Sequence, residues 1–151
     1  MTRKVYVDGD RPGLSKRPSV TCGVGTDIVE VSRITALMRD RGAAFLERWF
    51  TAGEIAYCSA KAMPPQHFAA RYAAKEAVLK ALPVAWNGPL PWQSIEIVND
   101  PHGVPSVQLS GAILEAAIRA GVGEIGVSLS HCIEYATAVA VVVITSNQAS
   151  G

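Results

Sequence analysis

Hydrophobic and polar positions along this chain switch several times between a period of two and a period near four. Residues 20–31 open as a strand, with Val20, Cys22 and Val24 two apart and Ile28 and Val29 following. Ser32 is placed to cap a helix that runs towards Gly42, with Ile34, Leu37 and Met38 on one face. Thr51 and Glu54 have the spacing of a capping box and open a second, short helix. Pro64 and Pro65 interrupt the chain. An Ala-rich helix then runs over about 66–82, and Pro83 ends it. A loop at 83–91 carries three prolines, Gly88 and Trp86. Residues 94–98 alternate as a strand, 99–103 make a turn, and 104–109 return as the second arm of a hairpin. A helix over 111–120 is stopped by Gly121. In 124–131, Ile125, Val127 and Leu129 face one way and Gly126, Ser128 and Ser130 the other. Residues 137–145 are apolar on both faces, which puts that strand in the middle of its sheet. Hairpins mixed with helices predict an α+β domain, an antiparallel sheet packed with helices, rather than a doubly wound parallel sheet.

Composition narrows the possibilities. A chain of 151 residues with 49% apolar and 18% charged positions is long enough for one domain with a real core. The net charge of +1 lacks the basic excess of a general nucleic-acid binder. Cys22, Cys58 and Cys132 are far apart and odd in number, which argues against a disulfide framework or zinc site and suits a reducing cytoplasm. The longest purely apolar run, 138–144, is too short to cross a bilayer, so no membrane role is expected. Residues 1–19 have no apolar signal-like core and read as a flexible tail. Residues 146–151 read as a second tail, leaving a domain over 20–145.

Three places carry candidate chemistry. Asp27 sits among small and apolar neighbours, where a buried carboxylate needs a cation, a donor or a proton; a turn-capping aspartate is the plainer alternative. On the Ala-rich helix, Phe68, Ala70, Ala74, Val78, Leu79 and Leu82 form an apolar face, with Glu76 and Lys80 one turn apart on its margin. That pair is either an ordinary i,i+4 ion pair or a functional one, which Ala69 and Ala73 would let a bulky ligand approach. Arg71 and Lys75 fall on the apolar side, where they either snorkel or face a phosphate-binding cleft. His131 ends a strand, as a phosphate ligand, an acid–base group or a turn residue. Magnesium takes one or two carboxylates and fills its octahedron with water and phosphate oxygens, so Asp27 and Glu76 suit that ion. Lys80 and Arg71 would then neutralise a diphosphate during phosphoryl-type transfer. No Walker A or G-x-G-x-x-G sequence supports an ordinary nucleotide fold.

Three segments in order resemble the holo-acyl-carrier-protein synthase family, the small type of 4′-phosphopantetheinyl transferase. They are Gly23-Val-Gly-Thr-Asp-Ile-Val-Glu-Val-Ser-Arg-Ile34, Arg71-Tyr-Ala-Ala-Lys-Glu-Ala-Val-Leu-Lys-Ala-Leu82 and Val127-Ser-Leu-Ser-His131. The resemblance spans 20–144 and implies a magnesium-dependent enzyme that uses CoA. A serine hydroxyl of an apo acyl carrier protein, of fatty-acid or polyketide synthesis, attacks the β-phosphate and adenosine 3′,5′-bisphosphate leaves. By the family pattern, Asp27 and Glu76 match the metal-binding carboxylates and Lys80 the lysine near the diphosphate. Arg71, Lys75 and His131 match positions expected near CoA phosphates, the 3′-phosphate among them. Arg33 matches a contact to the acidic carrier, and residues 32–48 carry four arginines against Asp40 and Glu47. The resemblance also implies a homotrimer with active sites at subunit interfaces. One departure is the Pro-rich stretch at 83–91, where the family often has a Gly-rich turn that seats the cofactor. A non-catalytic module holding CoA or a carrier, and a magnesium-dependent phosphohydrolase, are the alternatives. The retained metal pair speaks against the first, and the lack of a further acid–base cluster against the second.

Overall fold

A computed structural model describes residues 21–145; the expected tails, and Val20, lie outside the described residues. The elements run β1 (Thr21–Glu30), α1 (Val31–Trp49), α2 (Ala52–Ser59), α3 (Pro64–Ala81), β2 (Ile95–Asn99), β3 (Pro105–Leu109), α4 (Gly111–Arg119), β4 (Val122–His131) and β5 (Tyr135–Ile144). A 3-10 turn, Trp92–Ser94, leads into β2. The main sheet has order β1-β5-β4, all antiparallel, while β2 and β3 form a separate two-stranded hairpin. This is the α+β arrangement expected, and β5 is the central strand, as its apolar sequence predicts.

α3 packs across one face of the main sheet, and glycines make the contact close. A Cβ on Gly23 would lie 2.0 Å from the Ala81 carbonyl oxygen, and one on Gly25 2.0 Å from that of Ala77. Ala69, Ala73, Ala74, Ala77 and Val78 are buried with Ala136, Ala138, Ala140 and Val142 of β5. The helix is surrounded on most sides rather than buried along one stripe, and Ala69 and Ala73 serve this packing instead of opening a flank to a ligand.

The close packing inverts the role of β1. Its inward positions are Gly23, Gly25, Asp27 and Val29, while its apolar side chains Val24 and Ile28 face outward, 60% and 66% exposed. Val139 and Val141 of β5 lie on the same open face, opposite Thr26 and Val24 in the pairing.

Three local expectations need correction. Ser32 does not cap α1: the N-cap is Glu30, without a side-chain cap bond, and the Val31 N–H donates to the Glu134 carbonyl at 2.8 Å instead. α1 does not end at Gly42 but breaks there, at φ 52°, and resumes to Trp49, because glycine adopts that left-handed turn without steric penalty. Pro64 and Pro65 begin α3 rather than interrupt the chain before it, since the first helical turn needs no N–H donor there.

The capping box of α2 forms as predicted and extends further. The Glu54 N–H donates to Thr51 Oγ1 at 3.2 Å and the Thr51 N–H to Glu54 Oε2 at 2.9 Å. Glu54 Oε1 also accepts from the Ile97 N–H at 3.0 Å, and Thr51 Oγ1 donates to Glu96 at 2.6 Å, so the start of α2 is tied to β2.

Candidate active site

Asp27 occupies an inward position of β1, opposite Ala138 of β5, where α3 crosses the sheet. A strand pointing its carboxylate at a helix finds the residues of that helix one turn apart. Lys80 Nζ donates to Asp27 Oδ1 at 2.7 Å and to the Thr26 carbonyl at 3.0 Å. Glu76, one turn earlier on α3, is half-buried. Burial pushes its carboxyl above the ordinary glutamate range, and the negative charge of Asp27 adds to that; Lys80 and Arg33 oppose it. Two carboxylates, Asp27 and Glu76, and two cations, Lys80 and Arg33, act on one another here, and Lys80 is already paired with Asp27. Carboxylate oxygens of this kind are the donor type that a hard divalent cation takes.

Arg33, near the start of α1, reaches the edge of this group, with its guanidinium carbon 5.9 Å from the Tyr72 ring centroid. Tyr72 precedes Glu76 by one helical turn. Its hydroxyl is pushed up by burial first and by the Glu76 charge next, while Arg33 works the other way. Sequence reasoning missed Tyr72; its i−4 spacing from Glu76 was the available signal.

Arg71 and His131 stand in a second group. The Arg71 side chain is 3% exposed; its Nη2 donates to Asn99 Oδ1 at 2.5 Å and its guanidinium carbon lies 4.1 Å from the Tyr57 ring centroid. The His131 ring meets that of His67 edge-on, with centroids 4.9 Å apart. The separation from the first group follows from helix geometry: five residues from Arg71 to Glu76 turn the direction by about 140° and advance it by about 7.5 Å. Tyr57, Lys61 and His67 were not singled out from the sequence, where nothing local marks them.

Lys75 belongs to neither group, contrary to the expected phosphate cleft. Its side chain and that of Glu54 are both 0% exposed and paired at 2.7 Å. Lys75 Nζ also donates to the carbonyls of Trp49 and Trp92, each at 2.8 Å. An ammonium has three donors, so this set uses all of them. Burial pulls the ammonium below the ordinary lysine range, against the pull of Glu54. Lys75 therefore joins α1, α2, α3 and the 3-10 turn, and it has no donor left for a ligand.

Among the described residues, no cluster of three or more His, Cys, Asp or Glu side chains gathers as a metal cage, and no helix is long and apolar enough to cross a membrane.

Comparison with known proteins gives consistent likenesses. The family model described as the 4′-phosphopantetheinyl transferase superfamily matches residues 23–140. A holo-[acyl-carrier-protein] synthase of Protochlamydia amoebophila is 42% identical over 122 residues, covering 81% of this chain and 98% of that protein. The crystal structure of the Neisseria meningitidis holo-[acyl-carrier-protein] synthase aligns with a TM-score of 0.72 at 31% identity, covering 80% of this chain and 96% of that one. The Helicobacter pylori enzyme, solved in complex with coenzyme A, aligns with a TM-score of 0.68 at 32% identity, covering 79% and 98%.

Proposed function

This chain belongs to the 4′-phosphopantetheinyl transferase superfamily, and from that premise we propose how its own residues carry out the transfer. The enzyme has holo-[acyl-carrier-protein] synthase activity and moves the 4′-phosphopantetheine arm of CoA onto an apo acyl carrier protein. The carrier serine oxygen forms a bond to the β-phosphorus of CoA. The bond from that phosphorus to the bridging oxygen breaks, adenosine 3′,5′-bisphosphate leaves, and the serine proton passes to solvent water.

Asp27 and Glu76 would hold Mg2+. The donor set fits: two carboxylates from different elements, with the Glu76 carboxyl raised by burial first and by the Asp27 charge next. The ion would supply charge neutralisation to the diphosphate. Lys80, already against Asp27, is placed to neutralise the charge that builds on the phosphate oxygens. Arg33 lies at the rim of this group and presents its charge to the acidic carrier. Arg71 and His131 take CoA phosphates, including the 3′-phosphate. The observation carrying this reading is the convergence of Asp27, Glu76 and Lys80 where α3 crosses β1.

The assembly proposed is a homotrimer in the cytoplasm. Two features support it. Val24, Ile28, Val139 and Val141 leave an open apolar sheet face of the kind that marks protein–protein contacts. The carboxylate group and the Arg71–His131 group lie on different sides of α3, so a subunit interface is a place where one chain's carboxylates meet another's cations.

The test is incubation with CoA, Mg2+ and apo carrier proteins of fatty-acid and polyketide type, followed by mass spectrometry of the carrier. A gain of one phosphopantetheine is expected on at least one of them. No gain on any carrier, with CoA still bound, would leave only a binding module.

A further inference from the structure

Four basic side chains gather around one tyrosine at the far end of α3 from Lys80. Lys61 Nζ lies 4.2 Å from the Tyr57 ring centroid, and the Arg71 guanidinium carbon lies 4.1 Å from it. The His67 ring stands edge-on to Tyr57, with centroids 6.5 Å apart, and edge-on to His131 at 4.9 Å. Among the described residues, none of the four basic groups makes an ion pair with a carboxylate. Arg71 is buried, and its Nε has no hydrogen-bond partner. A buried cation without a counter-charge is costly, and the arrangement asks for an anion.

The groups facing His67 all push one way. Lys61 beyond the end of α2, Arg71 on α3 and His131 on β4 are all basic side chains, and Tyr57 brings no carboxylate. Burial, first, and then His131, Lys61 and Arg71 hold the His67 imidazole below the ordinary histidine range. A dianion in their midst reverses that balance.

We propose that Lys61 and His67 complete, with Arg71 and His131, a seat around Tyr57 for a phosphomonoester dianion, and that His67 takes up a proton when the phosphate arrives. This rests on the reading that Arg71 and His131 take the CoA 3′-phosphate, and it adds the residues that set the strength and pH response of that contact. Binding favours the protonated imidazole; because the phosphate's own second ionisation lies at about 6, this shows as the affinity of the native chain relative to a His67 variant, a ratio that rises as pH falls through the ordinary histidine range.

The experiment is calorimetric titration of the whole chain, in Mg2+, with adenosine 3′,5′-bisphosphate and with adenosine 5′-monophosphate, which lacks the 3′-phosphate. Titrations in buffers of different ionisation enthalpy read proton uptake directly. Uptake is expected with the bisphosphate and not with the monophosphate. His67→Gln should lower the uptake and weaken the bisphosphate about tenfold at about pH 6, the size of one charge-assisted hydrogen bond, with little change at about pH 8. Lys61→Ala should weaken the bisphosphate at both pH values. Proton uptake unchanged by His67→Gln, or equal losses for both nucleotides, overturns the proposal. The transfer assay fails independently: bisphosphate binding with proton uptake but no carrier modification would retain the seat and reject the enzymatic reading.

Discussion

Lys80 on α3 places its ammonium 2.7 Å from the Asp27 carboxylate on β1, joining two segments 53 residues apart in the chain. The contact exists because Gly23 and Gly25 let the helix backbone settle onto the strand, bringing the one polar inward residue of β1 alongside the last turn of α3, which carries Lys80.

Asp27→Asn and Glu76→Gln should each reduce transfer by about 100-fold or more while leaving the protein folded, because each removes one of two charges proposed to grip the cation. Rates come from carrier mass spectrometry and folding from circular dichroism. Full activity in both variants would remove these residues from the metal site.

Lys75→Met and Glu54→Gln should destabilise the fold by about 3–5 kcal/mol each, since each leaves a fully buried partner without its counterpart. The double variant Lys75→Met with Glu54→Gln should be less than additive. Urea unfolding measures both. Values within a few tenths of wild type would contradict the burial of this pair.

How much of this was readable in advance depended on distance along the chain. The capping box of Thr51 and Glu54 was legible because its partners are three residues apart. The central place of β5 between β1 and β4 was legible from its apolar run, although only one of its faces, that of Ala136, Ala138, Ala140 and Val142, is buried. The burial of Lys75 was not, because the carboxylate and the carbonyls of Trp49 and Trp92 that receive it come from three other elements. The outward turn of Val24 and Ile28 was hidden for a related reason: apolar alternation marks a strand but not which side meets the helix, and here the glycines decide it.

Gly25→Ala should be poorly tolerated, costing about 1–3 kcal/mol or more and lowering transfer, because its Cβ would meet a backbone oxygen that cannot move aside. Gly126→Ala is the control: a Cβ there meets nothing within 4 Å. Melting temperatures of the two variants, side by side, separate close packing from a general effect of losing glycine. Equal melting temperatures would argue against the tight helix–strand contact.

Cys58 is pushed up to about 11, by burial first, with Arg71 opposing. Its thiol should resist iodoacetamide in the native protein at mildly alkaline pH, while the exposed Cys132 reacts. The raised value means the neutral thiol favours the fold. This contribution is fully present below the unfolded thiol's ordinary range and is lost as pH rises towards about 11. Cys58→Ala should remove that alkaline loss, read as a flatter dependence of melting temperature on pH. An unchanged slope would count against the burial of the thiol.

Val141→Asp, on the open sheet face, should yield smaller particles by light scattering and reduced transfer, with the isolated fold little changed. A variant that keeps its mass and activity would place the subunit contact elsewhere.

Alternation along β1 has a consequence for fidelity. Inward and outward residues exchange at every step, so sliding this strand by one residue against β5 would turn Asp27 towards solvent and press Val24 into a space sized for a glycine hydrogen. Neither set of neighbours tolerates the other's side chains. A misaligned strand would lose the carboxylate proposed to hold the metal and the face proposed to meet another subunit together, so no half-competent form would persist.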